Sequence, residues 1–94
     1  MISIPITEYE KAENDVLVDL RDKTLFNAET LPGAINIPMN DIAAFYSLPK
    51  DKRIVLFCQH GDYSREIALL MSDNGYQTAD LEGGWLRWLA QYYM

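Results

Sequence analysis

The sequence predicts an α/β fold with a mostly parallel sheet flanked by helices, and three observations support this prediction. Segments with strand-like patterns alternate along the chain with segments of helical periodicity. Residues 53–58 are apolar on both faces, as expected for the middle strand of a parallel sheet that helices cover on both sides. With 94 residues, 49% of them hydrophobic, the chain has the size and composition of a single folded domain.

The first segments indicate an edge strand, a short helix and a buried strand. Residues 2–6 alternate isoleucine with serine or proline, which predicts a strand, and Pro5 places that strand at the edge of the sheet. Thr7 is then expected to cap a short helix through residue 12. The compact run of Val and Leu at residues 16–19 predicts a buried strand that ends at a cluster of charged residues.

A turn and a second helix are predicted next. Residues 31–34 (LPGA) form a turn signal before the brief apolar segment at residues 35–37. Asn40 or Asp41 is expected to cap a helix that runs to about residue 48, because a proline follows at residue 49.

The last third of the chain predicts a helix, a strand and a closing helix. Ser64 is expected to begin a helix whose face of Ile67, Leu70 and Met71 packs inward and which ends at residues 74–75. Residues 77–81 are predicted to form the last strand, followed by a glycine turn. The closing helix has an apolar stripe, which is expected to be core and not a binding surface; it consists of Trp85, Trp88, Leu89 and Tyr92.

The charge and hydropathy of the chain exclude several classes of partner. The formal net charge of −6 disfavours nucleic acid and anionic membrane surfaces. The apolar stretches are about five residues long, far below the roughly 20 needed to cross a bilayer, so no membrane association is expected. The first ten residues have neither a basic start nor an apolar core, so they do not resemble a secretory signal, and a cytoplasmic location is expected.

Cys58 is the only cysteine, which excludes an internal disulfide and a cysteine-based zinc cage. We therefore expect no metal and no cofactor. If Cys58 takes part in a reaction, it does so without a second cysteine in the chain.

The loop after the central strand is the first candidate for a catalytic site, because open α/β sheets bind ligands at the carboxyl ends of their strands. A loop that curves over Cys58 and leads into a helix can direct N–H groups and the helix dipole at the sulfur, which favours thiolate over thiol. Gly61 permits the reversal of the backbone. The candidate residues are Cys58, Gln59, His60, Gly61, Asp62, Tyr63, Ser64 and Arg65.

Simpler explanations exist for three of these residues. Cys58 is also compatible with a small buried hydrophobic residue at a strand end. His60 can donate a hydrogen bond to a substrate, although a lone loop histidine is more often merely exposed. Ser64 is suited both to the N-cap of the following helix, which is the safer assignment, and to a hydroxyl donor towards the sulfur.

Four motifs, in this order and spacing, resemble those of the rhodanese family. They are residues 18–21 (VDLR), residues 31–38 (LPGAINIP), residues 58–61 (CQHG) with Ser64, and residues 81–85 (LEGGW) with Trp88. Each motif is weak alone, but together they cover nearly the whole chain. The resemblance is greatest to the small single-domain thiosulfate sulfurtransferases of that family.

The resemblance implies one domain over residues 1–94, a parallel five-stranded sheet and a loop that holds a transferred sulfur. It implies that Cys58 attacks the outer sulfur of thiosulfate, or of a persulfide or polysulfide donor, and carries that sulfur as a persulfide. An external thiol, cyanide or a protein acceptor then takes the sulfur in ping-pong order. The loop residues 59–65 would bind the substrate, and Asp19 and Arg21 are expected to form a structural ion pair.

Two positions depart from the pattern of the family. Many members have an arginine five residues after the cysteine, where this chain has Tyr63, with Arg65 two positions later. A histidine that often precedes the turn segment is missing, since the chain has Glu29 and Thr30 there. Together with the net charge of −6, these differences point to a persulfide or a protein as the sulfur donor.

Two other functions compete with a sulfurtransferase. The rhodanese fold also serves as a non-enzymatic interaction or regulatory module. Cysteine phosphatases and arsenate reductases use a similar loop, but their pattern places an arginine where this chain has Ser64 and a histidine where it has Phe57. The retained cysteine and glycine-containing loop favour the enzyme over the inert module.

Overall fold

A five-stranded sheet forms the centre of the computed structural model, which describes residues 1–93. The strands are β1 (Ile2–Pro5), β2 (Asp15–Asp19), β3 (Ile35–Asn36), β4 (Arg53–Phe57) and β5 (Gln77–Glu82). They lie in the spatial order β1-β5-β4-β2-β3, and every neighbouring pair is parallel. The predicted α/β class, the five-stranded parallel sheet and the edge position of the first strand are therefore confirmed.

Helices connect the strands in the described part of the chain. They are the 3₁₀ turn Ile6–Glu8 and the helices α1 (Lys23–Ala28), α2 (Ile42–Tyr46), α3 (Asp62–Asp73) and α4 (Gly84–Ala90). None of the helices in residues 1–93 is long and apolar enough to span a membrane.

The side chains of β4 alternate between two apolar cores, one on each face of the sheet. Ile54 and Leu56 belong to the core that contains Phe45 of α2 and Met71 of α3. Val55 and Phe57 belong to the other core, which packs against the 3₁₀ turn and α4. These four side chains are fully buried, which explains the apolar run in the sequence after Arg53.

The predicted helix over residues 7–12 is wrong, because the chain forms only the 3₁₀ turn and then extends from Tyr9. The Tyr9 hydroxyl and the Ala12 N–H both donate to Asp15 Oδ2, at 2.8 and 3.0 Å. These bonds hold the segment against the start of β2. Conversely, the short helix α1 was not predicted; Asp22 caps it by accepting a hydrogen bond from Leu25 N–H.

Two predicted helix ends need small corrections. Asp41 does cap α2, accepting from Ala44 N–H, but the helix ends at Tyr46 and not at residue 48. The closing helix buries Trp85, whereas Tyr92 is 64% exposed and not core, because α4 ends at Ala90 before it reaches that residue. On α3, Met71 is buried, but Leu70 is half exposed and does not pack inward as predicted.

Candidate active site

Cys58 directly follows the carboxyl end of β4, and a loop of three residues leads from it to α3. Two backbone N–H groups of this segment point at the sulfur. Gly61 N lies 3.1 Å from Cys58 Sγ, and Ser64 N lies 3.4 Å from it. Both contacts are within hydrogen-bonding distance of sulfur, and they stabilise a negative charge on that atom. Cys58 is 3% exposed, so these amides replace water around the sulfur.

The start of α4 determines the shape of this loop. Trp85 N–H donates to Cys58 O at 2.8 Å, and Leu86 N–H donates to Gln59 O at 3.1 Å. A Cβ on Gly84 would lie 2.7 Å from Cys58 O, Gln59 O and Gly61 N, so only glycine fits there. Because α4 binds the carbonyl groups of Cys58 and Gln59, the N–H groups of the loop face the sulfur.

Gly61 turns the chain into α3 with a φ of +96°, a conformation that glycine adopts without strain. It is the N-cap residue of α3, which begins at Asp62. The prediction that Ser64 caps this helix is therefore wrong, since Ser64 lies in the first turn. Its backbone N–H is instead free of any helical partner and donates to Cys58 Sγ.

The Ser64 hydroxyl is fully buried and joins the cysteine to an acid that the sequence analysis did not single out. Ser64 Oγ lies 3.6 Å from Cys58 Sγ, 3.2 Å from Gly61 O and 2.5 Å from Asp80 Oδ1. Asp80 is on β5 and is only 2% exposed. Burial raises the pKa of this carboxyl above its ordinary value, although hydrogen bonds from Ser64 and Ser3 oppose the shift.

The other predicted loop residues are more exposed. His60, Asp62, Tyr63 and Arg65 are exposed, and Gln59 is partly buried. Asp62 Oδ1 accepts from Tyr63 N–H and lies 3.9 Å from Cys58 Sγ.

A cavity of about 420 Å³ opens beside the cysteine. Its walls combine residues of the cysteine loop with two segments that follow β2 and β3. The lining residues are Leu20, Arg21, Asp22, Pro38, Met39, Asn40, Cys58, Gln59, His60 and Tyr63. The structure thus brings Gln59, His60 and Tyr63 to one cavity with Cys58, whereas Arg65 is not among its lining residues.

Asp19 and Arg21 form a buried ion pair at the carboxyl end of β2, with 2.8 Å between Arg21 Nη2 and Asp19 Oδ2. The same nitrogen donates to Glu29 O, and the guanidinium lies over the Trp85 ring at 4.2 Å from its centroid. Thr30 Oγ1 donates to Asp19 as well. These contacts occupy the guanidinium and hold the segment after β2 against α4.

Comparison with known proteins agrees with this architecture. The family described as the Rhodanese-like domain matches residues 7–91. Thiosulfate sulfurtransferase GlpE of Pseudomonas savastanoi is 30% identical over 84 residues, which cover 87% of this chain and 79% of that protein. The crystal structure of a rhodanese-related protein from Thermoplasma volcanium superposes with a TM-score of 0.85 at 26% identity, covering 97% of this chain and 93% of the other.

A larger relative contains a matching segment. The tRNA sulfurtransferase of Desulfurococcus amylolyticus is 34% identical over 77 residues, which cover 82% of this chain. The match spans only 15% of the length of that relative.

Proposed function

The chain belongs to the rhodanese-like domain family, and on that premise we propose that it is a sulfurtransferase that carries the transferred sulfur on Cys58 as a persulfide. The observation that carries the proposal is the pair of N–H groups, from Gly61 and Ser64, directed at Cys58 Sγ. Preorganised donors of this kind stabilise an anionic sulfur before and after transfer without reorganisation.

The first half-reaction forms one S–S bond and breaks another. The Cys58 thiolate attacks the terminal sulfur of the donor, and the bond between that sulfur and the rest of the donor breaks. The leaving group takes the bonding electron pair and departs as a thiolate from a persulfide, or as sulfite from thiosulfate. Cys58 then holds the sulfur as an anionic persulfide in place of its thiolate, so the charge at the site is unchanged.

The second half-reaction returns the cysteine to its starting state. An external thiolate or cyanide attacks the outer sulfur of the persulfide, and the Cys58 thiolate leaves. Since Cys58 is the only cysteine of the chain, the acceptor is a separate molecule and the kinetics are ping-pong.

The cavity supports an organic persulfide or polysulfide as donor more than thiosulfate. Among its lining residues in the described part of the chain, Arg21 has the one permanent positive charge, and Asp19 neutralises it. Leu20, Pro38 and Met39 supply apolar surface for an organic group. A dianion such as thiosulfate would lose hydration in this cavity without gaining a cationic partner.

Intact-mass spectrometry tests the proposal directly. Incubation with a low-molecular-weight organic persulfide should add the mass of one sulfur atom, and cyanide should remove it and release thiocyanate. The Cys58→Ser variant should remain unmodified while keeping the circular dichroism spectrum of the parent. A folded parent protein that gains no sulfur from either a persulfide or thiosulfate would refute the sulfurtransferase and favour the non-enzymatic interaction or regulatory module.

A charge added at the cavity tests the donor class. Tyr63 is half exposed and lines the cavity. Tyr63→Arg should therefore raise the rate constant for sulfur transfer from thiosulfate to Cys58 about tenfold, and change the rate constant for transfer from a persulfide much less. Tyr92→Arg is the matched control, because it adds the same charge at an exposed tyrosine outside the cavity lining. Equal gains in both variants would mean that overall charge, and not the cavity, limits thiosulfate.

A further inference from the structure

Three side chains form a buried line of polar contacts behind the cysteine loop. Asp80 Oδ1 lies 2.5 Å from Ser64 Oγ, and Ser64 Oγ lies 3.6 Å from Cys58 Sγ. None of the three residues is more than 3% exposed, so water does not interrupt the line. The carboxyl, the hydroxyl and the sulfur therefore influence one another's protons directly.

Asp80 and Cys58 are coupled because the Ser64 hydroxyl between them has only one proton to donate. When Asp80 is ionised, the Ser64 hydroxyl donates a hydrogen bond to its carboxylate, which is the short contact described above. Ser64 Oγ then presents only lone pairs to the sulfur. It can accept a hydrogen bond from a thiol, but it does not stabilise a thiolate. When Asp80 is protonated, it donates to Ser64 Oγ, and the Ser64 proton can turn to a thiolate, with Gly61 O at 3.2 Å as the other acceptor within reach.

We propose that Asp80 is a positioning residue that acts through Ser64, so that Asp80 and Cys58 hold a single negative charge between them. The S–H bond of Cys58 breaks as its proton moves to Ser64 Oγ, and the original Ser64 proton moves to Asp80 Oδ1. The charge passes from carboxylate to sulfur with no net change. This inference rests on the proposed function in one respect, which is that the Cys58 thiolate is the nucleophile.

The charged and titratable groups around this line favour a shared charge. Around Asp80, Ser3 on β1 donates to Oδ2 at 3.4 Å, Arg65 on α3 lowers its pKa, and Glu82 on β5 raises it. Burial is the largest influence and raises the pKa of Asp80. Near the sulfur, the carboxylate of Asp62 lies 3.9 Å from Sγ but is exposed. A buried site of this kind disfavours two anions at once.

The dependence of the iodoacetamide alkylation rate of Cys58 on pH tests the coupling. Two strongly coupled groups titrate in two macroscopic steps that belong to the pair. The parent protein should therefore show two steps. Asp80→Asn should show one step, because asparagine does not titrate. Its amide donates to Ser64 permanently, so at about pH 8 Cys58 of the variant should react about tenfold faster than Cys58 of the parent. Asp62→Asn is the matched control and should keep both steps. A single step in the parent would overturn the proposal.

A double-mutant comparison identifies the route. If Asp80 acts through Ser64, the alkylation profile of Ser64→Ala combined with Asp80→Asn should match that of Ser64→Ala alone, within about twofold. A full additional effect of Asp80→Asn on the Ser64→Ala background would show that the charge acts through space, and that Ser64 has no part.

Infrared spectroscopy gives a measurement that needs no variant. Alkylation removes the charge from the sulfur, so Asp80 should release its proton, and the difference spectrum should show a carboxylic-acid band replaced by a carboxylate band. An unchanged carboxyl region would contradict the proposal. Alkylation requires only the thiol, so a protein that fails to transfer sulfur can still show the coupling, and one that transfers sulfur can lack it.

Discussion

Asp15 and Asp80 are both almost fully buried, at 5% and 2% exposed, yet they have opposite surroundings at opposite ends of the sheet. Asp15, at the amino end of β2, accepts from Arg53 Nε and Nη2 at 2.8 and 2.9 Å, and also from Tyr9 and Ala12. The hydrogen bonds from Arg53 are the main cause that lowers the pKa of Asp15 to about 2. Asp80 has two hydroxyl donors, and burial raises its pKa.

The contrast separates a structural charge from a reactive one. At the amino end, every carboxylate oxygen of Asp15 has a cationic donor, so its charge is fixed at neutral pH. At the carboxyl end, Asp80 contacts Ser64, which contacts Cys58, and the described residues include no cationic hydrogen-bond partner for this acid. A buried acid with a raised pKa beside a nucleophile is typical of a functional site, and the fully paired acid is typical of a structural one.

Glycine substitutions should produce the largest difference between the two ends. Gly84, at the carboxyl end, has three backbone atoms 2.7 Å from the position of an added Cβ. Gly84→Ala should lower the free energy of unfolding by about 3 kcal/mol and slow the alkylation of Cys58, because the loop must move away from α4. Urea unfolding and alkylation rates measure the two effects.

Gly75, which precedes β5 at the amino end, is the matched control. It has a φ of +90°, but the nearest atom to an added Cβ is the flexible Lys50 Nζ at 3.7 Å. Gly75→Ala should therefore cost only the backbone strain, about 1 kcal/mol, and leave the alkylation rate unchanged. Equal losses in the two variants would show that contact with the cysteine loop does not matter at Gly84.

Removing the charge of Asp15 should have the next largest effect. Asp15→Asn should lower the free energy of unfolding by about 2 kcal/mol near neutral pH, since Arg53 loses its partner but remains partly exposed. The pKa of Asp15 is depressed in the folded state, so the stability that it adds is present above the ordinary value of 3.8 and is lost as the pH falls towards about 2.

Urea titrations of the parent and Asp15→Asn at several pH values measure this effect. The two proteins should differ most near neutral pH and converge as the carboxyl becomes protonated. The alkylation profile of Cys58 should not change, because Asp15 has no contact with the cysteine loop. A difference in stability that persists unchanged in acid would mean that shape, and not charge, explains the loss.

Local patterns in the sequence were sufficient to predict the sheet and the cysteine loop. The apolar run of residues 54–58 predicted β4, and the cap of α2 was placed at Asn40 or Asp41, of which Asp41 is the cap. The placement of Cys58 at a strand end followed from the same run. These features depend on neighbouring residues, so their periodicity and capping are visible in the chain itself.

The features of the site that the sequence did not predict depend on contacts between distant segments. Ser64 has the residue type of a helix cap, but Gly61 is the N-cap, three residues earlier, in a loop that packs against the start of α4. Asp80 binds Ser64, sixteen residues away, which no local pattern encodes. A signal was nevertheless present, since an aspartate inside the buried strand β5 needs a partner.

The smallest effect on stability should come from Asp80→Asn, and its dependence on pH should have the opposite sign to that of Asp15→Asn. The pKa of Asp80 is raised in the folded state, so its stabilising contribution is present below the ordinary value of 3.8 and is lost as the pH rises through the folded-state pKa. Asparagine does not ionise, so the stability of the variant relative to the parent should increase with pH. The same comparison for Asp15→Asn should decrease with pH.

Urea unfolding of both variants beside the parent, between about pH 2 and about pH 8, compares the two slopes. Asparagine keeps the size of the side chain and its hydrogen bond with Ser64, so a difference that grows with pH reports the buried charge and not lost packing. Parallel slopes for the two variants would mean that Asp80 is as well compensated as Asp15. In that case the carboxyl end of the sheet would hold two structural acids, Asp19 and Asp80, and Cys58 would have no titrating partner across Ser64.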